Sequence, residues 1–126
     1  MGSCCEKSAR YAIDADTIPE VDVSGGSHND MTSRQIFKAM GLHGTTPVGS
    51  DLHYYPKGGW QKLAAHEKHW HILFVLEGEG EYQVGEQTWP IKKNSLIYVP
   101  PGALHAVKNL GDGRLAMLFV AGKAQG

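Results

Sequence analysis

Apolar and polar residues alternate in short runs along most of the chain, and glycine, proline or asparagine separates the runs. A period of two is typical of β-strands that bury one face, whereas helices bury positions three or four residues apart. We therefore predict strands over eight segments: residues 48–55, 60–66, 71–76, 81–84, 88–91, 95–99, 105–109 and 115–121. Short strands at such regular spacing are typical of all-β sandwiches and barrels.

Turn-forming residues lie between the predicted strands. They fall at residues 56–59, 78–80, 85–87 and 100–102, where glycine or proline recurs. Residues 33–40 can be read as a strand or as a short helix, because their periodicity fits either.

The composition fits one globular domain. The chain has 126 residues, of which 41% are hydrophobic and 20% charged, as is ordinary for soluble proteins. Sixteen glycines and six prolines suit many tight turns. The net charge of −1 lacks the basic excess of nucleic-acid-binding proteins, and no apolar run reaches the ~20 residues that span a bilayer. We therefore expect neither nucleic acid nor a membrane as a partner.

The N-terminal part differs from the rest. Residues 1–31 are polar and rich in turn formers, which predicts a loose arm ahead of a single barrel domain over residues 32–126. Apolar arm residues such as Val21 could pair with a sheet edge or a partner subunit, so the arm is expected to be disordered or exchanged between subunits. Cys4 and Cys5 are adjacent and seldom bridge, so no disulfide is predicted. No apolar signal-peptide core is present, so we expect a cytoplasmic protein.

Histidine is concentrated at one place in the sequence. Three of the seven histidines, His66, His69 and His71, lie within one short stretch, and His105 follows much later in the chain. Imidazole is the commonest metal ligand in proteins. A histidine cluster with a distant partner therefore predicts a metal site assembled from different strands of one fold.

The same residues resemble the two motifs of the cupins, a family of small jelly-roll β-barrels that carry a metal inside. The first motif, two histidines and a glutamate between two glycines, maps onto Gly58, Ala64, His66, His71 and Gly78. The second motif maps onto Asn94, Pro100, Gly102, His105 and Asn109. The spacing matches throughout, but the residue type differs at Ala64, His71 and Asn94. The resemblance implies an all-β jelly-roll barrel, with antiparallel strands in two sheets, over roughly residues 48–120.

The departures change the metal site that the resemblance implies. The usual cupin ligands are three histidines and one glutamate, but Ala64 removes one imidazole and His71 replaces the carboxylate. The implied metal ligands are His66, His71 and His105. Alternation puts His71, Leu73 and Val75 on one strand face, so we expect an aliphatic floor beneath the site. Three protein ligands leave a position open for substrate, as catalytic sites do.

Three further residues are candidates for catalysis or ligation. His69, in the predicted loop between two ligand-bearing strands, could refill the place that Ala64 leaves. A surface position is favoured for it, because most lone histidines are not ligands. His53 could be a fourth ligand, a buried base or a donor to a ligand. Gln83 could contact a metal-bound water if its strand turns it inward, which depends on whether Gly80 forms a bulge.

Two classes of function remain open. Imidazole ligands favour iron, zinc or nickel, ahead of copper and of manganese, which prefers oxygen ligands. The resemblance implies a metal-dependent enzyme of a small organic molecule. It would use dioxygenase chemistry with iron, or Lewis-acid cyclase, isomerase or lyase chemistry with zinc or nickel. The alternative is a non-catalytic small-molecule-binding or sensor domain. Small cupins commonly pair through their sheets, so we expect a homodimer.

Overall fold

The computed structural model describes residues 12–24, 28–29, 31–40, 49–65 and 68–123. The strands in this part of the chain are β1 (Glu20–Asp22), β2 (His28–Asn29), β3 (Thr32–Gln35), β4 (Gly49–Tyr55), β5 (Trp60–Ala64), β6 (His69–Glu77), β7 (Glu79–Val84), β8 (Gln87–Lys92), β9 (Leu96–Val99), β10 (His105–Asn109) and β11 (Leu115–Lys123). A 3-10 turn (Ala15–Thr17) precedes β1, and a one-turn helix α1 (Ile36–Ala39) follows β3. Among these described residues, no helix has the length and apolar character needed to cross a membrane.

The strands form two antiparallel sheets. One has the order β1-β3-β4-β11-β6-β9, and the other has the order β2-β5-β10-β7-β8. From β4 onward the chain crosses between the sheets at almost every connection, so the two sheets enclose one interior. The protein is a jelly-roll β-barrel, and the predicted all-β fold is confirmed.

The core consists of side chains that point inward from both sheets. At most 2% of the surface of each of the following is exposed: Tyr55, Val75, Leu115 and Met117 from the larger sheet, and Tyr82 and Val107 from the smaller. Each such apolar side chain contributes roughly 1.5–3 kcal/mol by leaving water. Contacts between the two inner faces therefore hold the barrel closed.

Two residues at the motif positions shape turns, and a third links two strands. Gly78 joins β6 to β7 with φ of +90°, and a side chain there would overlap the backbone carbonyl of Arg114. Asn94, where the cupin motif has glycine, adopts φ of +77°, a conformation that asparagine tolerates better than most residues. The side-chain amide of Asn109 donates to the carbonyl of Tyr55 at 2.9 Å, which ties β10 to the end of β4.

One segment differs from the sequence prediction, and another resolves an ambiguity in it. The loop predicted around His69 is wrong, because β6 begins at that residue and pairs it with Lys123 of β11. Gly122 lies opposite Trp70, and its lack of a side chain leaves room for the indole ring. The ambiguous segment 33–40 contains both alternatives, since β3 runs directly into α1.

Part of the predicted N-terminal arm joins the barrel. β1 pairs antiparallel with β3 of its own chain, with Glu20 opposite Arg34. The Glu20 carboxylate accepts hydrogen bonds from Thr32 Oγ1 at 2.6 Å and from Arg114 Nη1 at 3.2 Å. The expected pairing of arm residues with a sheet edge is thus present at β1. Residues 1–11, with both cysteines, lie outside the described part of the chain.

Candidate functional site

A cavity of about 320 Å³ lies between the two sheets. Its apolar wall includes Leu73, Tyr82, Val107, Met117 and Phe119. Its polar lining consists of His53, Gln61, His69, His71 and His105. Neither lysine nor arginine is found among the described residues that line it. The cavity is therefore a mainly apolar chamber with imidazoles at several points on its wall.

Strand alternation brings the two buried histidines into this chamber. On β6, His71 and Leu73 line the cavity and Val75 continues the same face into the core, as predicted. On β10, His105 and Val107 alternate inward in the same way. The two histidines therefore enter the chamber from opposite sheets.

A bulge in β5 brings Gln61 into the cavity. Ala64 pairs with His105, whereas Gln61 pairs with Val107, so β5 has one residue more than β10 between these pairs. An extra residue shifts the alternation of a strand by one position. Gln61 and Ala64, three positions apart, consequently lie on the same side of the sheet.

The rings of His71 and His105 meet edge to face. Their centres are 5.3 Å apart and their planes are inclined by 82°. Only 7% of His71 and 2% of His105 is exposed. The ring of Phe119 lies against His71, with centres 4.8 Å apart. The structure thus brings together two of the three predicted metal ligands.

Backbone and side-chain contacts indicate the tautomer of His105. Its Nδ1 lies 3.3 Å from the carbonyl oxygen of Ala103, which can only accept a hydrogen bond. The proton of a neutral His105 ring therefore belongs on Nδ1, and Nε2 carries a lone pair. The side-chain nitrogen of Gln61 is 3.4 Å from that Nε2 and can donate to it. Nε2, the atom left free of a proton, faces the side chains that line the cavity.

The third predicted ligand, His66, lies outside the described residues. Among the residues that are described, no group of three or more histidine, cysteine, aspartate or glutamate side chains is placed to hold a metal ion. The three-histidine site therefore stays a prediction, with the positions of His71 and His105 now known.

His53 enters the cavity from β4. Its ring stacks on Phe119 with centres 4.6 Å apart, and its Nε2 is 3.7 Å from Oδ2 of Asp51. Because Phe119 contacts both His53 and His71, an aromatic ring lies beside both imidazoles. A carboxylate at this distance is compatible with each of the roles predicted for His53, namely fourth ligand, buried base or donor to a ligand.

The remaining candidates lie at the rim of the cavity or outside it. His69 is exposed and lines the cavity at the start of β6, on the same face as His71. Gln83 does not line the cavity, because β7 pairs with β10 without a bulge at Gly80, and Tyr82 is the inward residue. The Gln83 amide instead donates to the carbonyl of Gly85 at 3.0 Å.

Among the cavity residues that were not identified from the sequence are Tyr55, Gln61, Tyr82 and Phe119. Burial raises the pKa of the Tyr82 hydroxyl, and burial followed by the nearness of Tyr82 raises the pKa of Tyr55. Both phenols therefore stay neutral at physiological pH. Alternation within β4 and β7 could have predicted that the two tyrosines face the cavity. The position of Gln61 could not be predicted in this way, because the bulge in β5 interrupts the alternation.

Comparison with known proteins identifies the same region. The family model for the cupin domain matches residues 51–121. An oxalate-binding protein from Thermotoga maritima is 31% identical over 65 residues, which are 52% of this chain and 54% of that protein. The chain spans about half the length of the curated relatives it matches.

Solved structures share the whole barrel. A predicted oxalate decarboxylase from Thermotoga maritima has a TM-score of 0.77 at 20% identity, over 90% of this chain and 99% of that one. A polyketide cyclase from Streptomyces resistomycificus has a TM-score of 0.76 at 17% identity, over 92% of this chain and 82% of that one. At such identities the likeness shows the fold alone. Because the family model matches more than half of the chain, the chain belongs to the cupin family.

Proposed function

We propose that this cupin is a metal-dependent enzyme that acts on a small, largely apolar organic molecule. The observation that carries the proposal is the pair of buried imidazoles, His71 and His105, on the wall of a cavity of about 320 Å³. Cavities of roughly 300–1,000 Å³ commonly hold small organic ligands. The described lining offers no lysine or arginine to an anionic group, which favours a substrate that is mostly apolar.

The separation of the two imidazole rings is compatible with a shared metal ion. Two imidazoles that bind one ion through bonds of about 2.1 Å have ring centres roughly 4.5–5.3 Å apart, and the observed separation is 5.3 Å. The tautomer of His105 leaves on Nε2 the lone pair that ligation requires. His66 is the third ligand in this proposal, on the basis of its position in the cupin motif.

The metal would supply a Lewis acid in the case of zinc or nickel, or a centre for oxygen chemistry in the case of iron. The chain itself supplies the surroundings of the reaction. Leu73 and Met117 form an apolar wall that limits water, and the neutral phenols of Tyr55 and Tyr82 add planar surface without charge. An uncharged molecule with a flat or branched carbon skeleton suits such walls best.

His53 is the side chain best placed to move a proton. It lines the cavity, and Asp51 lies 3.7 Å from its Nε2. A carboxylate beside one ring nitrogen orients the imidazole, and the other ring nitrogen is then the one that can accept a proton from a bound molecule. His53 is therefore the proposed general base, and Asp51 is its positioning residue.

The first test is elemental analysis of the purified protein and its His71→Ala variant. We expect close to one transition-metal ion per chain in the wild type and a large loss in the variant. Lys93→Ala, a truncation at an exposed residue, serves as the control and should keep the metal. Absence of bound metal in the wild type, even after anaerobic reconstitution with iron, zinc and nickel, would refute the proposal.

A non-catalytic binding module is the second candidate. It is favoured by the likeness to a protein named for binding oxalate. Calorimetric titration of the metal-loaded protein with oxalate and with uncharged cyclic ketones separates the candidates. Tight binding of oxalate with no chemical change in it would support the binding module over the enzyme.

A further inference from the structure

Gln61 has a position that neither the cupin motif nor the proposed mechanism accounts for. It lies on β5 opposite Val107, its exposed fraction is 8%, and it lines the same cavity as His71 and His105. A buried amide carries four hydrogen-bonding positions and is costly to bury without partners. Within the described part of the chain, the hydrogen-bond partner of its side chain is His105. The rest of its hydrogen-bonding capacity is therefore available to a ligand in the cavity that it lines.

Ala64 leaves the proposed metal site without a donor atom close to Gln61. Ala64 pairs directly with His105, and it stands where the cupin motif has a histidine. A methyl group cannot bind a metal ion, so the position beside His105 lacks a donor atom. The bulge in β5 compensates, since it turns Gln61 to the same side of the sheet as Ala64.

The distance between Gln61 and His105 matches that of two ligands on one ion. Two donor atoms held by bonds of about 2.1 Å, at angles between 90° and tetrahedral, are roughly 3.0–3.4 Å apart. The side-chain nitrogen of Gln61 is 3.4 Å from Nε2 of His105. Half a turn of the amide about its last carbon–carbon bond puts Oε1 in nearly the same place.

We propose that Gln61, through Oε1, supplies the metal ligand that Ala64 cannot. This inference rests on the proposed metal site at His71 and His105. Without metal, the amide nitrogen of Gln61 donates to His105 Nε2. With metal, the amide rotates by half a turn and Oε1 binds the ion. Gln61 therefore lies beside the imidazole of His105 in both states. A neutral oxygen ligand also leaves the full positive charge of the ion for the substrate.

The test measures metal affinity and ligand field rather than turnover. Metal-free wild type, Gln61→Ala and Gln61→Glu are titrated with cobalt(II) and with zinc against a competing chelator. Gln83→Ala is the matched control, because that glutamine lies on β7 outside the cavity lining. We expect Gln61→Ala to weaken binding about tenfold or more and to change the visible spectrum of cobalt. Gln61→Glu, which keeps an oxygen donor, should bind the metal at least as tightly as the wild type. Gln83→Ala should have the metal affinity of the wild type.

A rescue variant separates ligation from a packing effect. Adding Ala64→His to Gln61→Ala restores an imidazole at the motif position, and we expect it to recover the lost affinity. If that double variant does not fold, the comparison of Gln61→Glu with Gln61→Ala decides. Wild-type affinity and spectrum in Gln61→Ala, with weak binding in His71→Ala, would overturn the role of Gln61 alone. A wild type that binds neither ion would overturn the metal site as well.

Discussion

The imidazole of His53 lies nearly parallel to the ring of Phe119, with centres 4.6 Å apart and planes inclined by 20°. The same phenyl ring meets His71 edge to face, with centres 4.8 Å apart. One residue of β11 thus orients the proposed proton acceptor and a proposed metal ligand together. The two imidazoles belong to β4 and β6, the strands on either side of β11, so the central strand sets their relative position.

Replacing Phe119 by leucine removes both ring contacts and keeps an apolar side chain. We expect the free energy of unfolding to fall by about 1–2 kcal/mol and metal affinity to fall because His71 loses its support. Urea denaturation and chelator competition measure the two effects. Phe74→Leu, on the opposite face of β6, is the control and should leave metal affinity unchanged. Wild-type affinity in Phe119→Leu would show that the ring does not orient His71.

Gly122 should not tolerate a side chain, because a Cβ atom there would overlap the indole of Trp70. We expect Gly122→Ala to lower the free energy of unfolding by about 1–3 kcal/mol, as overpacking does. Gly113→Ala is the matched control, since no atom lies within 4 Å of the added carbon, and its effect should stay below about 0.5 kcal/mol. Equal urea midpoints for the two variants would contradict the close packing of Trp70 on β11.

The attachment of β1 should weaken in acid. The hydrogen bond from Thr32, and the charges of Arg114 and Arg34, lower the pKa of Glu20 from 4.5, and partial desolvation opposes them. Because the folded-state pKa is the lower one, this stabilisation is present above the unfolded-state value and is lost as the pH falls through the folded-state value.

The wild type should therefore lose stability below about pH 4.5 more steeply than Glu20→Gln does. Urea midpoints between neutral pH and pH 3 provide the measurement. Glu86→Gln, at an exposed turn, should follow the wild-type curve. Parallel curves for the wild type and Glu20→Gln would show that Glu20 contributes nothing to the acid response.

The outer face of the larger sheet predicts a homodimer. On β6 and β9, four large apolar side chains are exposed there: Ile72, Leu76, Leu96 and Tyr98. Ile72 pairs directly with Tyr98 across the two strands, and these side chains carry no charge that would repel an identical face. A two-fold axis would place this patch against itself.

Light scattering across a range of protein concentrations should give twice the mass of one chain for the wild type. Leu96→Lys places a charge on the patch and should give the mass of a single chain. Leu110→Lys adds the same charge at another exposed leucine and should remain dimeric. A wild type of single-chain mass at every concentration would refute the dimer.

Local alternation was enough to predict much of the site. The face formed by His71, Leu73 and Val75 follows from an uninterrupted period of two within β6, and the segment predicted at residues 105–109 coincides with β10. The inward position of His105 follows in the same way. These features depend only on neighbours in the sequence.

Features that depend on distant strands were not predicted. His69 lies in a strand because β11 extends to Lys123 and leaves Gly122 opposite Trp70. Gln61 faces inward because β5 has a bulge where it pairs with β10. Register and bulges arise from pairing between segments far apart in the chain, and the residue pattern of one segment does not contain them.

The bulge in β5 also decides which kind of chemistry the chamber can hold. Were Ala64 to keep its place opposite His105 and the strand to continue without the extra residue, Lys62 would take the place of Gln61 opposite Val107. An ammonium group would then replace a neutral amide, and the wall would repel a cation and attract an acid anion. A slip of one backbone position can therefore convert the chamber from one ligand class to another with every side chain unchanged. In such a barrel, a one-residue insertion or deletion within a strand is a route to new specificity alongside substitutions inside the cavity.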